Sequence, residues 1–286
     1  MIASLVAREH RRAVRGWLKR LRRTCVRRWY SYNREDFLDL LRRVGVRLGD
    51  VVIVHSSFDR FEAFDGKPTE VILALQAAVG PAGTLLMPTL PFNGTAVEYV
   101  AHAGIFDVVR TPSRMGLLTE LFRRSPGVVR SVHPTHPVAA WGARSEEIIA
   151  GHHLAATPCG TGSPYARLFE YDGKILFLGT GIDAMTFFHA VEERLEPEMP
   201  FTPFTKETFL LYCKDRDGTV LSSTTRLFAP EWSRLRNLAP LSAALRQRGA
   251  WRTERTGGLV VILLGAVEVV DACRDLAKSG VYCYDH

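Results

Sequence analysis

A chain of 286 residues, 47% hydrophobic and 23% charged, can bury one large core or two small ones, and its composition excludes a disordered or fibrous protein. No run of about 18 apolar residues occurs, so no membrane-spanning helix is expected. The net charge of +7 sits almost wholly in the first 30 residues, where ten Lys and Arg face one acid, Glu9; the remainder is slightly acidic, which excludes a body built to neutralise nucleic-acid phosphates.

Residues 1–32 read as a basic N-terminal arm and residues 33–286 as one domain. In the arm, Trp17, Leu18, Leu21, Cys25 and Trp29 recur at helical spacing with arginines between them. That pattern suits an amphipathic helix on anionic lipid, a partner-docking helix, or an unstructured tail. The arm lacks an apolar segment long enough for a secretory signal, so the expectation is a cytoplasmic protein, with residues 1–30 as the segment for contact with the inner membrane surface. Five scattered cysteines (Cys25, Cys159, Cys213, Cys273, Cys283) form no CxxC pair, and neither a zinc site nor a disulfide framework is expected.

From Asn33 the pattern becomes regular. Asn33 is a suitable cap for a helix over Arg34–Val44. The β-branched run Val51–Val54 is a strand, Pro68–Val79 a helix stopped by Gly80-Pro81, and Thr84–Met87 a second strand. Strand, helix, strand at this spacing predicts a βαβ unit and an α/β fold. Thr89–Arg110 is a long segment without clear periodicity, and such loops are commonly functional. Next come a helix over Arg114–Arg124 capped by Ser113, a strand Val138–Trp141, a short helix Glu146–Ala150 and a Gly/Ser/Pro loop Thr157–Pro164. The strand Lys174–Leu178 follows. Phe209–Lys214 and Thr219–Leu221 flank a hairpin turn at Asp215–Gly218. Glu231–Arg248 reads as one helix and Leu259–Leu264 as a closing strand.

Five clusters carry chemistry. After Leu178 the turn Gly179-Thr180-Gly181 feeds a short helix with His189, and Glu192 and Glu193 stand three and four residues on. Imidazole titrates near pH 6.5, roughly, and a carboxylate on one ring nitrogen fixes the tautomer that leaves the other basic; the competing reading is a core histidine packed under a helix. His55, Ser56 and Ser57 leave the end of a strand, where open α/β sheets bind ligands. Arg110-Thr111-Pro112-Ser113-Arg114-Met115-Gly116 opens a helix and suits an anion, or is a plain cap with solvated arginines. His133 and His136 stand three apart between prolines with no evident third ligand, so no metal is expected. Cys159 lies in a Gly-rich loop without a nucleophile signature around it.

In order, VHSSF, GPAGTLLMPT, RTPSRMGLLTELFRR, RSVHPTHPVAAWG and GTGSPYARLFEYDGKILFLGTGIDAMTFFHAVEE resemble the aminoglycoside 3-N-acetyltransferase family from about Asn33 to about Pro200, and more weakly beyond. The resemblance implies an α/β fold with a central mixed sheet flanked by helices in three layers, distinct from the GNAT acetyltransferases. It implies transfer of an acetyl group from acetyl-CoA to a small-molecule amine, on an aminoglycoside or related amino sugar. The family's T-x-x-H-x-x-E motif falls on Thr186 to Glu192, making His189 the general base and Glu192 its catalytic partner. By resemblance the CoA surface draws on His55, Ser56 and Ser57, and on Arg110, Ser113 and Met115; Ser56 or Ser57 is the expected oxyanion donor. A polycationic acceptor calls for carboxylates, and Asp183, Glu193, Glu98 and Asp107 are the expected substrate-binding acids. Ser223–Phe228, where some members carry acidic residues, has none. Two further readings are an N-acyltransferase of cell-surface glycan or secondary-metabolite biosynthesis and a non-catalytic acyl-CoA-binding protein.

Overall fold

A computed structural model describes residues 30–285; the basic arm, up to residue 29, lies outside the described residues. The strands are β1 (Val51–Ser56), β2 (Thr84–Pro88), β3 (Phe106–Asp107), β4 (Val129–Arg130), β5 (Val138–Gly142), β6 (Lys174–Leu178), β7 (Phe204–Lys214), β8 (Val220–Phe228), β9 (Arg252–Thr256) and β10 (Leu259–Gly265). Seven form one mixed sheet in the order β4-β5-β2-β1-β6-β10-β9, and β3-β7-β8 form a second. β1 runs parallel to both β2 and β6, while β5 and β10 join antiparallel on either side. The expected βαβ unit is present, with the helix Pro68–Val79 between β1 and β2.

Alternation along the central strands sends successive side chains to opposite faces. Val52 and Val54 pack with Phe37, Leu40, Leu41, Val71 and Leu75 of the helices Arg34–Val44 and Pro68–Val79. Val51, Ile53, Ile175 and Phe177 pack on the other face with Phe188, Val191, Leu241 and Val269, from the helices Phe188–Leu195, Ala239–Gln247 and Ala266–Lys278. The result is the three-layer α/β architecture. Among the described residues no helix is long and apolar enough to cross a membrane.

Asn33 caps as expected: its side chain accepts from Asp36 N–H and the Asp36 carboxylate accepts from Asn33 N–H. Several boundaries differ from expectation. β1 continues through His55 and Ser56, paired with Phe177 and Leu178, so these are strand residues and not a turn. The long segment after Thr89 holds a helix, Ala96–Val100, and β3. The helix expected from Arg114 starts at Leu117, because Gly116 has φ 114°, outside the helical region. Ser113 is therefore not its cap.

The expected helix Glu231–Arg248 is two helices, Pro230–Leu235 and Ala239–Gln247, the second with Pro240 in its first turn. Between them the chain is extended and lies antiparallel to the C-terminal segment. Asn237 N–H donates to Cys283 O and Asp285 N–H to Leu235 O, both at 2.8 Å, and Arg236 bridges Tyr284. This break positions Arg236.

Candidate active site

Gly179 ends β6 with φ 67°, and a Cβ there would press into the Arg60 side chain; only glycine makes this turn without strain. A single 3₁₀ turn, Ile182–Ala184, leads to the helix Phe188–Leu195. Phe188, Val191 and Leu195 anchor that helix in the core. His189 and Glu192, three apart, share a second face, and both are buried.

His189 Nδ1 lies 2.6 Å from Glu192 Oε2. A carboxylate only accepts here, so Nδ1 carries the proton and Nε2 keeps its lone pair. The other Glu192 oxygen accepts from the Tyr284 hydroxyl and stands 3.4 Å from Arg236 Nε. Arg236 Nη2 lies 3.3 Å from His189 Nδ1 and 3.4 Å from Nε2. Phe228 stacks on the imidazole, centroids 3.6 Å apart. Burial, reinforced by the Arg236 charge, holds the His189 pKa below its ordinary value against the opposing pull of Glu192. Burial acts to raise the Glu192 pKa, but His189, Arg236 and the bonds it accepts hold it below the usual carboxylate range. The pair is therefore a neutral imidazole beside a carboxylate at neutral pH, the arrangement a general base requires.

The imidazole faces a cavity of about 190 Å³. Its lining includes Phe92, Thr95, His136, Asp183, Thr186, Ser233 and Arg236. His136 meets His189 edge-on, centroids 6.1 Å apart, and its Nδ1 bonds Thr135 Oγ1 at 2.9 Å. Burial and the neighbouring histidines push the His136 pKa far down, so it too is neutral. His133 and His152 stack behind it at 4.4 Å. Among the described residues no group of three His, Cys, Asp or Glu is placed to hold a metal ion.

Of the expected substrate acids, Asp183 lines this cavity. Glu193 does not: the next position round the helix turns it to the loop before Pro164, where it accepts from the Thr157 hydroxyl and fills the space that Gly160 leaves free. Asp107 is occupied with Val109 and Arg110 N–H groups, at 2.9 and 2.8 Å. Glu98 is exposed and forms a capping box with Thr95, at 3.2 Å each way. Both serve local backbone instead of the cavity.

The expected CoA residues divide likewise. His55, Ser56 and Ser57 are outside the cavity lining but sit at the same end of the sheet, with Ser57 N–H bonded to Leu178 O at 3.0 Å just before the glycine turn. His55 is buried, stacked on Phe177 at 5.3 Å, its pKa pushed down to about 3 by burial. Ser113 spends its hydroxyl on Thr119 Oγ1 at 2.9 Å and on Met115 N–H at 3.2 Å. Met115 packs beside Leu90 and Phe92, and Arg110 is exposed. Cys159 is fully buried and its thiol pKa is raised by burial, which makes it a packing residue.

Residues 53–278 match the family model for aminoglycoside 3-N-acetyltransferase. The chain belongs to this family. Aminoglycoside N(3)-acetyltransferase IV of Salmonella sp is 38% identical over 165 residues, covering 57% of this chain and 59% of that protein; the chain thus matches about three-fifths of the length of such curated relatives. A structure of aminoglycoside acetyltransferase AAC(3)-IVa, a mutant in complex with a gentamicin, superposes with TM-score 0.72 at 27% identity, covering 90% of this chain and 93% of that one. AAC-IIIb, solved as a binary complex with CoASH, shares the fold at TM-score 0.72 and 24% identity, covering 89% and 99%.

Proposed function

We propose that this chain transfers the acetyl group of acetyl-CoA to an amine of an amino sugar, by direct transfer with His189 as general base and no acyl-enzyme. The observation that carries the reading is the 2.6 Å bond from His189 Nδ1 to buried Glu192, which leaves Nε2 basic beside a cavity. Family membership supports acetyl transfer, and AAC(3)-IVa was solved with a gentamicin, an amino-sugar compound. Acetyl-CoA supplies the acyl group as a thioester. A cavity of about 190 Å³ suits an acceptor amine and the thioester end, with the body of the cofactor outside it along the strand ends at His55, Ser56 and Ser57.

The acceptor is an ammonium in water and gives one proton to solvent before its nitrogen can attack. As the C–N bond forms, His189 Nε2 takes a second proton from that nitrogen, and it returns this proton to the departing thiolate as the C–S bond breaks, leaving the amide and the CoA thiol. Glu192 holds the ring tautomer and balances the imidazolium formed in between. Ser56 or Ser57 is the proposed donor to the developing oxyanion. Removing a general base of this kind costs about 10²–10⁴-fold in rate. His189→Ala should therefore melt as the parent does and lose most acetyl-dependent thiol release; turnover within about threefold of the parent would exclude His189 as the base.

A further inference from the structure

The His189 cavity has a charge pattern poorly matched to a polycation. Its lining contains one acidic side chain, Asp183, and one guanidinium, Arg236. Glu192 lies behind the ring, with its oxygens given to His189, Tyr284 and the Arg236 ion pair. Glu193 and Asp107 are directed elsewhere, and Glu98 is bound in its cap. No cluster of acids among the described residues lines this cavity to gather several ammonium groups.

Arg236 also stands directly against the base. Arg236 Nη2 lies 3.3 Å from His189 Nδ1 and 3.4 Å from Nε2; this near-equal reach sets the guanidinium against the ring and off the axis of the Nε2 lone pair. The lone pair stays free for the acceptor's proton, but a positive charge stands at the cavity beside the base, where an ammonium must arrive. A guanidinium is a planar fork that binds carboxylate or phosphate in two parallel bonds, stronger than a bond to neutral imidazole. Its backbone lies in the extended break between two helices, tied to the C-terminal segment.

We propose that Arg236 selects an acceptor amine that itself carries an oxyanion, a carboxylate or a phosphate, which pairs with the guanidinium and offsets its charge beside His189. Asp183, on the same cavity wall, then faces the ammonium. The substrate class is a zwitterionic amine, such as an acidic amino sugar. This rests on the acetyl-transfer reading above and narrows it.

The test compares amines on one scaffold by acetyl-CoA-dependent thiol release: glucosamine, glucosamine 6-phosphate and glucosaminuronic acid, with gentamicin as the polycation. At least one acid-bearing sugar should exceed both glucosamine and gentamicin by about tenfold or more in kcat/KM, and the two acids distinguish phosphate from carboxylate recognition. In Arg236→Met the preference over glucosamine should fall to near unity, chiefly through KM. Arg236→Lys, which keeps the charge without the fork, should lose at least about threefold of it. These are ratios within one preparation, so a partly folded variant does not distort them. A parent preference below about tenfold, or a preference unchanged in both variants, overturns the role of Arg236 and leaves acetyl transfer standing. No thiol release with any of the four amines overturns the acetyl-transfer reading and this inference with it.

Discussion

The proposed base, His189, is suited to that role by what surrounds each nitrogen. Glu192 accepts the hydrogen bond from Nδ1–H, burial and Arg236 oppose protonation, and Nε2 keeps its lone pair. A group whose folded pKa lies below its ordinary value stays neutral to lower pH. The acid limb of kcat/KM, which reports the free enzyme, should accordingly fall below pH 6.5, roughly the free imidazole value; a limb at or above it would contradict the assigned environment. Glu192→Gln keeps the shape but removes the charge and presents an amide that can hold the wrong tautomer. It should lower kcat by about 10²-fold or more with a smaller change in KM, measured by thiol release. The His189–Glu192 pair was legible in the sequence because spacing of three on a helix places both side chains on one face. Phe228, His136, Arg236 and Tyr284 were not legible as its partners. They come from positions 39 to 92 residues away along the chain and meet His189 or Glu192 only through tertiary packing.

At the level of elements, the sheet's inner strands announce themselves and its edges do not. β1, β2, β6 and β10 are apolar runs buried on both faces. β9 reads Arg-Thr-Glu-Arg-Thr, polar because it is an edge strand paired to β10 alone. The break after Leu235 has one sequence signal, Pro240, which a single helix over Glu231–Arg248 would have to hold in its interior and which instead stands in the first turn of the second helix; the extended stretch before it is held by the C-terminal segment through Asn237 and Asp285. That segment also brings the Tyr284 hydroxyl to Glu192. Tyr284→Phe removes a donor to a buried carboxylate and should lower unfolding stability by about 1.5–3 kcal/mol in urea titrations. A change indistinguishable from zero would mean the C-terminal segment does not support the Glu192 carboxylate.

Across the whole molecule, burial has gathered imidazoles that fold only as neutral groups. His55, His133, His136 and His152 are all buried. His152 donates from Nε2 to Pro158 O at 2.8 Å and pairs through Nδ1 with Ser131 Oγ at 2.9 Å. His133 Nδ1 accepts from Thr135 and His136 N–H groups at 3.2 and 3.1 Å. Burial lowers the His55 and His152 values to about 3 and those of His133 and His136 far below the ordinary one. The unfolded chain therefore binds protons that the native state refuses once pH falls below about 6.5, and stability is lost progressively from there downward. At pH 5 each such histidine costs on the order of 2 kcal/mol, and four together approach the net stability of about 5–15 kcal/mol typical of a domain. Urea midpoints should be flat above pH 7 and drop steeply between pH 6.5 and pH 5, approximately. His55→Phe, which keeps a ring against Phe177 and removes the unpartnered buried Nε2, should shrink that loss by about 2 kcal/mol. Equal midpoints at neutral pH and near pH 5 would show that these imidazoles take up protons in the native state, in which case the buried histidines are not the neutral groups described above.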